Sequence, residues 1–134
     1  MNEPETISRI LRGSKTIAVV GLSDDPERPS YGVASYLVEN GYKVIPVNPN
    51  ITEWDGIKAY PDLEAVHENI DVVDIFRRSE SVPDIVDDAI AVKAKAVWMQ
   101  LGVINEGAAR KAEKAGLLVV MDRCMKIEHA KILE

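Results

Sequence analysis

Short apolar runs rich in β-branched residues alternate along the chain with stretches whose apolar positions recur every three or four residues. The first pattern fits buried strands and the second fits amphipathic helices. The chain opens on a helical pattern: Pro4 suits a first turn, Ile7, Ile10 and Leu11 share one face, and Gly13 stops it. Residues 16–20 form an unbroken apolar strand ended by Gly21. Residues 31–40 are helical, with Val33, Tyr36 and Leu37 on one stripe and Gly41 as the stop. Residues 42–47 give a second strand, closed by Asn48-Pro49-Asn50. The stretch 52–69 is less patterned, with an extended piece expected at 57–60 and a helical turn or two at 62–67.

The third strand is expected over 71–76. A strong amphipathic helix follows over 81–92, where Val82, Ile85, Val86, Ala89 and Ile90 fall at helical spacing. Residues 95–99 give a fourth strand. Residues 105–115 give a helix capped by Asn105, packed through Ala108, Ala109 and Ala112 and stopped by Gly116. Residues 117–121 are the fifth strand, and 126–133 are a last short helix. Five apolar strands separated by helices require a mainly parallel sheet covered on both faces. The fold class is therefore α/β: a doubly wound, Rossmann-like five-stranded sheet, expected in the order 3-2-1-4-5, forming a single domain over residues 1–134. Such sheets bind ligands beyond the carboxyl ends of their strands, at the switch point.

Composition narrows the function. Apolar residues are 46 % and charged residues 28 % of the chain, a globular balance. The 22 acidic side chains outnumber the 16 basic ones, for a net charge of −6, which disfavours nucleic acid as a partner. Cys124 is the single cysteine, so no internal disulfide forms, and a cytoplasmic location is expected. With His67 and His129 it makes too few ligands for a Cys/His zinc site, and no metal is expected. No apolar run approaches the roughly 20 residues of a membrane span. The first twelve residues lack the apolar centre of a signal peptide.

Candidate chemistry gathers at the predicted strand ends. After the first strand, Gly21 permits a sharp turn, Ser23 offers a hydroxyl, Arg28 a fork-shaped cation, and the next helix a positive N-terminus. The competing reading has Ser30 capping that helix and Arg28 paired with Asp24 or Asp25. The loop is neither a Gly-x-Gly-x-x-Gly fingerprint, since Ser23 and Pro26 stand at the later glycine positions, nor a Walker loop. The second strand ends without a carboxylate for ribose, which disfavours an NAD-dependent dehydrogenase. Asn48 can reach an adenosine, with Pro46 and Pro49 as a wall; a simple turn is the alternative. Phe76 can stack on a base and Arg77 can meet a phosphate, or Arg77 and Arg78 pair with Glu80, Asp84 or Asp88. Gln100 is a polar group where the fourth strand opens. Cys124 stands beside Arg123 and Lys126, neighbours that favour a thiolate, unless it is simply a small half-buried apolar residue. His129 follows five residues later, so a Cys–His pair is conceivable, without a visible third group to orient it.

The segments Ile17-Ala18-Val19-Val20-Gly21-Leu22-Ser23, Pro26-x-Arg28-x-Ser30 and Gly41-Tyr42-x-Val44-x-Pro46-Val47-Asn48-Pro49 together resemble the stand-alone CoA-binding domain family. That family is related to the nucleotide-binding domain of the succinyl-CoA synthetase α subunit. Trp98-x-Gln100-x-Gly102 and Val120-x-Asp122-Arg123-Cys124-Met125 extend the resemblance to about residue 129. It implies a Rossmann-like fold holding coenzyme A, or an acyl-CoA, through its ADP moiety. It matches Gly21, Leu22, Ser23, Arg28 and Ser30 to a phosphate loop, Asn48 and Pro49 to the nucleotide border, and Phe76, Arg77 and Gln100 to further lining. It implies no reaction, because the histidine phosphorylated in the synthetase lies on a further domain.

The expectation is thus a non-catalytic CoA-binding protein with a small-molecule nucleotide ligand, redox-linked thiol chemistry at Cys124, and a protein partner or homo-oligomer left open. The alternatives are a small Rossmann-like enzyme acting on a nucleotide or CoA thioester, and a ligand-free interaction module with Trp54 as an exposed contact.

Overall fold

In the computed structural model, which describes residues 1–133, strand formation follows the apolar runs closely. The strands are β1 (Thr16–Val20), β2 (Lys43–Val47), β3 (Glu53–Trp54), β4 (Ile57–Lys58), β5 (Val72–Ile75), β6 (Ala96–Met99) and β7 (Leu118–Val120). The helices are α1 (Pro4–Gly13), α2 (Pro29–Glu39), α3 (Val82–Ala91), α4 (Glu106–Lys114) and α5 (Met125–Ile132). Asn105 caps α4 as expected, its side chain accepting from the Ala108 amide at 2.9 Å.

The main sheet has five parallel strands in the order β2-β1-β5-β6-β7. Helices cover both faces, so the doubly wound, Rossmann-like class stands. One core cluster joins the inward faces of α3 and α4 to Ala18, Ile45, Val73, Ile75, Val97 and Val119. The other joins α1 and α2 to Ile17, Val19, Val44, Val72, Trp98 and Val120, with Met125 of α5. Strand residues thus alternate between two apolar layers, which is why β1 and β6 read as near-continuous apolar runs and β5 does so apart from Asp74.

The strand order departs from the expected 3-2-1-4-5. Counting the five long strands, it is 2-1-3-4-5, because β5 lies beside β1 rather than outside β2. All four residues of β5 are buried, and β5 is hydrogen-bonded on both sides, to β1 and to β6. Asp71, just before β5, also fixes this placement: its carboxylate accepts the Lys15 and Thr16 amides at 2.8 and 3.0 Å. The outer position beside β2 is taken by a single parallel bridge between Val47 and Tyr60. There the Asn48 amide donates to the Tyr60 carbonyl, and the Tyr60 amide to that of Pro46.

Residues 52–69 hold a feature beyond the expected extended piece. β3 and β4 form a hairpin around Asp55-Gly56, both with positive φ (48° and 79°), the conformation of a tight primed turn. A single 3-10 turn follows at Leu63–Ala65. The hairpin folds Trp54 inward until it is 1 % exposed and edge-on to Tyr31, with ring centroids 5.1 Å apart. Trp54 is therefore not the exposed contact considered above; its large apolar area is spent on packing against α2.

Asp74, in the middle of β5, is fully buried between Val19 and Trp98 on the neighbouring strands. Neither carboxylate oxygen has a protein hydrogen-bond partner. Burial drives its pKa well above the usual carboxylate range. The folded state holds this group protonated, whereas the unfolded chain ionises it above about 3.8. The folded protein therefore loses stability as pH rises from that value through the raised folded pKa. Asp74→Val is expected to stabilise the protein at pH 7 by about 1–3 kcal/mol. Chemical denaturation across pH 4 to 8 checks this: the gain should grow with pH, and a flat or negative difference would refute it.

Candidate functional site at the carboxyl edge of the sheet

The register levels the strand ends. Val20 pairs with both Val47 and Ile75, and Ile75 pairs with Met99. Gly21, Asn48, Phe76 and Gln100 therefore leave the sheet side by side. Between them lies an open cleft of about 750 Å³, of the size that holds a small molecule. It brings together Gly21, Ser23, Arg28, Ser30, Phe76, Arg77, Gln100 and Cys124 from the residues anticipated above.

Gly21 makes the cleft possible. Its φ is +86°, and a Cβ placed there would stand 2.3 Å from the Phe76 carbonyl oxygen and 2.9 Å from Arg77 Cδ. Only a residue without a side chain lets the β1 turn cross the β5 exit this closely. The loop beyond is internally bonded. The Ser23 amide donates to Ser30 Oγ, and the Asp25 amide to Ser23 Oγ, both at 3.0 Å. The Glu27 amide donates to Asp25 Oδ1 at 2.9 Å. Ser30 therefore ties the loop to the first turn of α2 and is not the helix cap; Arg28 holds that position without a side-chain cap. Both serine hydroxyls act as acceptors, so each keeps a proton to donate. The N-terminus of α2 opens on the same space.

The charges divide in a way that sequence could not decide. Asp24, Asp25 and Glu27 are exposed, and no carboxylate of the described residues lies within 4.0 Å of Arg28 or Arg77. Arg78 does pair with Glu80, at 3.6 Å on the surface. Two arginines without a carboxylate partner thus line a cleft that also contains two serine hydroxyls and the start of α2, an arrangement suited to a polyanion.

At the far end, Gln100 is 5 % exposed and its Oε1 accepts the Met125 amide at 3.1 Å, capping α5 from the sheet. Cys124 precedes α5, is half-buried and lines the cleft. Its cationic neighbours are occupied elsewhere: Arg123 donates to the Asp122 carbonyl, and the Lys126 ammonium lies 5.6 Å from the Tyr36 ring centre. The Cys–His pair does not form. His129 is buried against Tyr36 and Tyr42, with Nδ1 2.8 Å from the Tyr36 hydroxyl. Burial, with the Arg12 charge, pushes its pKa down and favours the neutral ring.

Three anticipated residues fall outside the cleft. Leu22 is fully buried in the core, so its side chain lines nothing. Asn48 spends its side chain internally, donating to the Leu22 carbonyl at 3.0 Å and accepting the Asn50 amide at 2.9 Å. Pro49 lines a separate cavity of about 170 Å³ with Val20, Val47, Pro61 and Leu63; Arg77 borders both spaces. The apolar lining from Val33, Leu101, Val103 and Ile127 was not anticipated. Apolar residues that continue past a predicted strand end, as in Leu101-Gly102-Val103-Ile104, are the signal available in the sequence. Among the described residues no group of three or more His, Cys, Asp or Glu side chains could hold a metal ion. No described helix is long and apolar enough to cross a membrane.

A ligand-sized cleft at the switch point of a doubly wound parallel sheet defines a Rossmann-like α/β domain. Within that class, the chain belongs to the CoA binding domain family, whose sequence model matches residues 15–130. It is 44 % identical over 124 residues to the uncharacterized protein YneT of Bacillus subtilis, covering 92 % of each chain. The structure resembles that of a hypothetical protein from Pyrococcus horikoshii, with TM-score 0.94 and 42 % identity over 98 % of this chain and 93 % of the other. It is also 29 % identical over 96 residues to an ADP-forming acetate–CoA ligase II of Archaeoglobus fulgidus; the match spans 69 % of this chain but only 14 % of the ligase.

The crossing at Gly21 makes a sharp prediction. Gly21→Ala should cost about 2 kcal/mol or more, since strain at positive φ adds to a backbone clash. Gly32→Ala, in the first turns of α2 with nothing near its Cβ, should be neutral or stabilising by up to about 1 kcal/mol. Paired thermal melts of the two variants check the contrast.

Proposed function

We infer that this chain binds coenzyme A, or an acyl-CoA, non-catalytically through its ADP moiety in the cleft at the carboxyl edge of the sheet. The observation that carries this is the pair of unpaired arginines, Arg28 and Arg77, flanking the Gly21 turn and the α2 N-terminus in an otherwise acidic protein. Family membership and the likeness to one segment of an ADP-forming acetate–CoA ligase support the choice of CoA among nucleotides. In this reading Ser23 and Ser30 donate to phosphate oxygens, and Phe76 offers an apolar face to the ligand. Pro49 and the small cavity beside Arg77 border the nucleotide. Gln100 holds the start of α5 and turns its remaining amide hydrogens to the ligand. The cleft presents no nucleophile–base–acid set, which favours a carrier or sensor in the cytoplasm over an enzyme.

Cys124 adds a redox branch. A ligand thiol brought to it by the cleft would form a mixed disulfide when an oxidant such as diamide accepts two electrons and the two thiol protons.

Titration calorimetry tests the binding. Measurable heat with CoA is expected, and none at millimolar CoA would remove the reading. Arg28→Ala and Arg77→Ala should each weaken binding by about 1.5–3 kcal/mol, the worth of a charge-assisted contact. For the redox branch, intact mass after diamide with CoA should rise by one CoA less two hydrogens, and Cys124→Ser should abolish the rise. No adduct on an accessible Cys124 would count against it.

A further inference from the structure

We propose that the apolar mouth of the cleft, built from Leu101, Val103 and Ile127, is a subsite for an aliphatic acyl chain, so that the preferred ligand is an acyl thioester of CoA rather than CoA itself. This rests on the reading of the cleft as a CoA site. Large apolar side chains left in water need an explanation when they cluster. Leu101 is 65 % exposed, Ile127 49 % and neighbouring Ile104 47 %, and Leu101 and Ile127 both line the cleft.

The mouth is rigidly held. The Gly102 amide donates to Asp122 Oδ1 at 2.7 Å and the Val103 amide to the Gln100 carbonyl at 2.8 Å. The Ile104 amide donates to Ser79 Oγ and the Asn105 side chain to the Ser79 carbonyl, both at 3.0 Å. The loop is thus closed by its own turn and pinned to two other segments, at Asp122 and Ser79, so Leu101 is presented to the cleft on a fixed backbone. Ile127 projects from the first turns of α5, whose start Gln100 holds.

Position along the sheet assigns the mouth to the thiol end of the ligand. The anion-suited groups, Gly21, Ser23, Arg28 and the α2 N-terminus, follow β1. Leu101 and Val103 follow β6, two strands away, and Gln100 beside them holds the start of α5, which carries Ile127. At about 4.8 Å per strand the β6 exit lies roughly 10 Å from the β1 exit, within reach of an extended pantetheine arm. Cys124 marks the same end. The cations that reach the cleft are Arg28, Arg77 and Arg78, and Arg78 is engaged with Glu80. Arg123 and Lys126 do not line it. An uncharged chain therefore suits the mouth better than a dicarboxylic one.

Calorimetric affinities of the whole protein for CoA and for its acetyl, butanoyl, hexanoyl and succinyl thioesters test this. A fully buried methylene is worth roughly fourfold in affinity, and a half-open mouth about half of that factor per carbon. Hexanoyl-CoA, with five aliphatic carbons, should therefore bind on the order of thirtyfold tighter than CoA, with succinyl-CoA gaining nothing over acetyl-CoA. In Leu101→Ser/Ile127→Ser the hexanoyl-to-CoA affinity ratio should collapse to within about threefold. Equal affinities for CoA and hexanoyl-CoA would overturn the acyl subsite while leaving CoA binding intact. Failure of every thioester and of CoA would overturn both. Sedimentation velocity supplies the other decisive outcome: a wild-type dimer turned monomeric by the double variant, with the affinity ratio unchanged, would make the mouth a contact between copies and sink the proposal.

Discussion

The β1 turn crosses the exit of β5 at a distance that admits no side chain, and the cleft depends on that crossing. Parallel strands in level register send their chains out at the same height, so their exits compete for the same space. Gly21 resolves the competition by omitting a Cβ. Its amide also donates to the Val47 carbonyl at 2.8 Å, while the Phe76 amide donates to the Val20 carbonyl, so β2, β1 and β5 are tied together where the cleft begins. Ser23, Ser30, Arg28 and Arg77 acquire their positions from that knot.

Charge placement, rather than total charge, gives this edge its character. Several surface cations are neutralised by nearby carboxylates, as in Lys95–Asp71, Lys131–Glu128 and Arg78–Glu80. Such exposed pairs contribute little stability but leave little net field. Arg28 and Arg77 have no such partner among the described residues. A net charge of −6 therefore coexists with a cationic rim around one cleft. Asp74 illustrates a different constraint: a protonated, unbonded carboxyl in the central strand lowers stability without a compensating contact in the protein.

Much of the lining of the candidate site is legible in the sequence because strand ends are legible. Apolar runs stop where a core stops, and the residues just beyond Val20, Ile75 and Met99 are brought to one edge by the fold class alone. Gly21, Ser23, Arg28, Phe76, Arg77 and Gln100 meet for that reason. Asn48 and Leu22 illustrate the failure. Their strand-end position follows from the apolar runs, but a side chain there can turn to a ligand, to the core or to a neighbouring loop, and spacing does not distinguish these. His129 and Cys124 likewise sit five residues apart in the chain, yet Tyr36 and Tyr42, distant in sequence, decide where the imidazole goes.

By itself the sequence determined the elements, the doubly wound class and the edge at which a ligand would be sought, because these follow from local periodicity and from the need to bury apolar runs on two faces. Tertiary structure alone decided that β5 lies against β1, since that depends on Asp71 reaching the Lys15 and Thr16 amides across more than fifty residues of chain. It alone decided that the Asp55-Gly56 hairpin tucks Trp54 under α2, that Arg28 and Arg77 stay unpaired, and that Leu101 and Ile127 converge on one mouth. Each of these is a long-range choice among partners that are locally equivalent, and only the packed chain makes one of them cheaper than the rest.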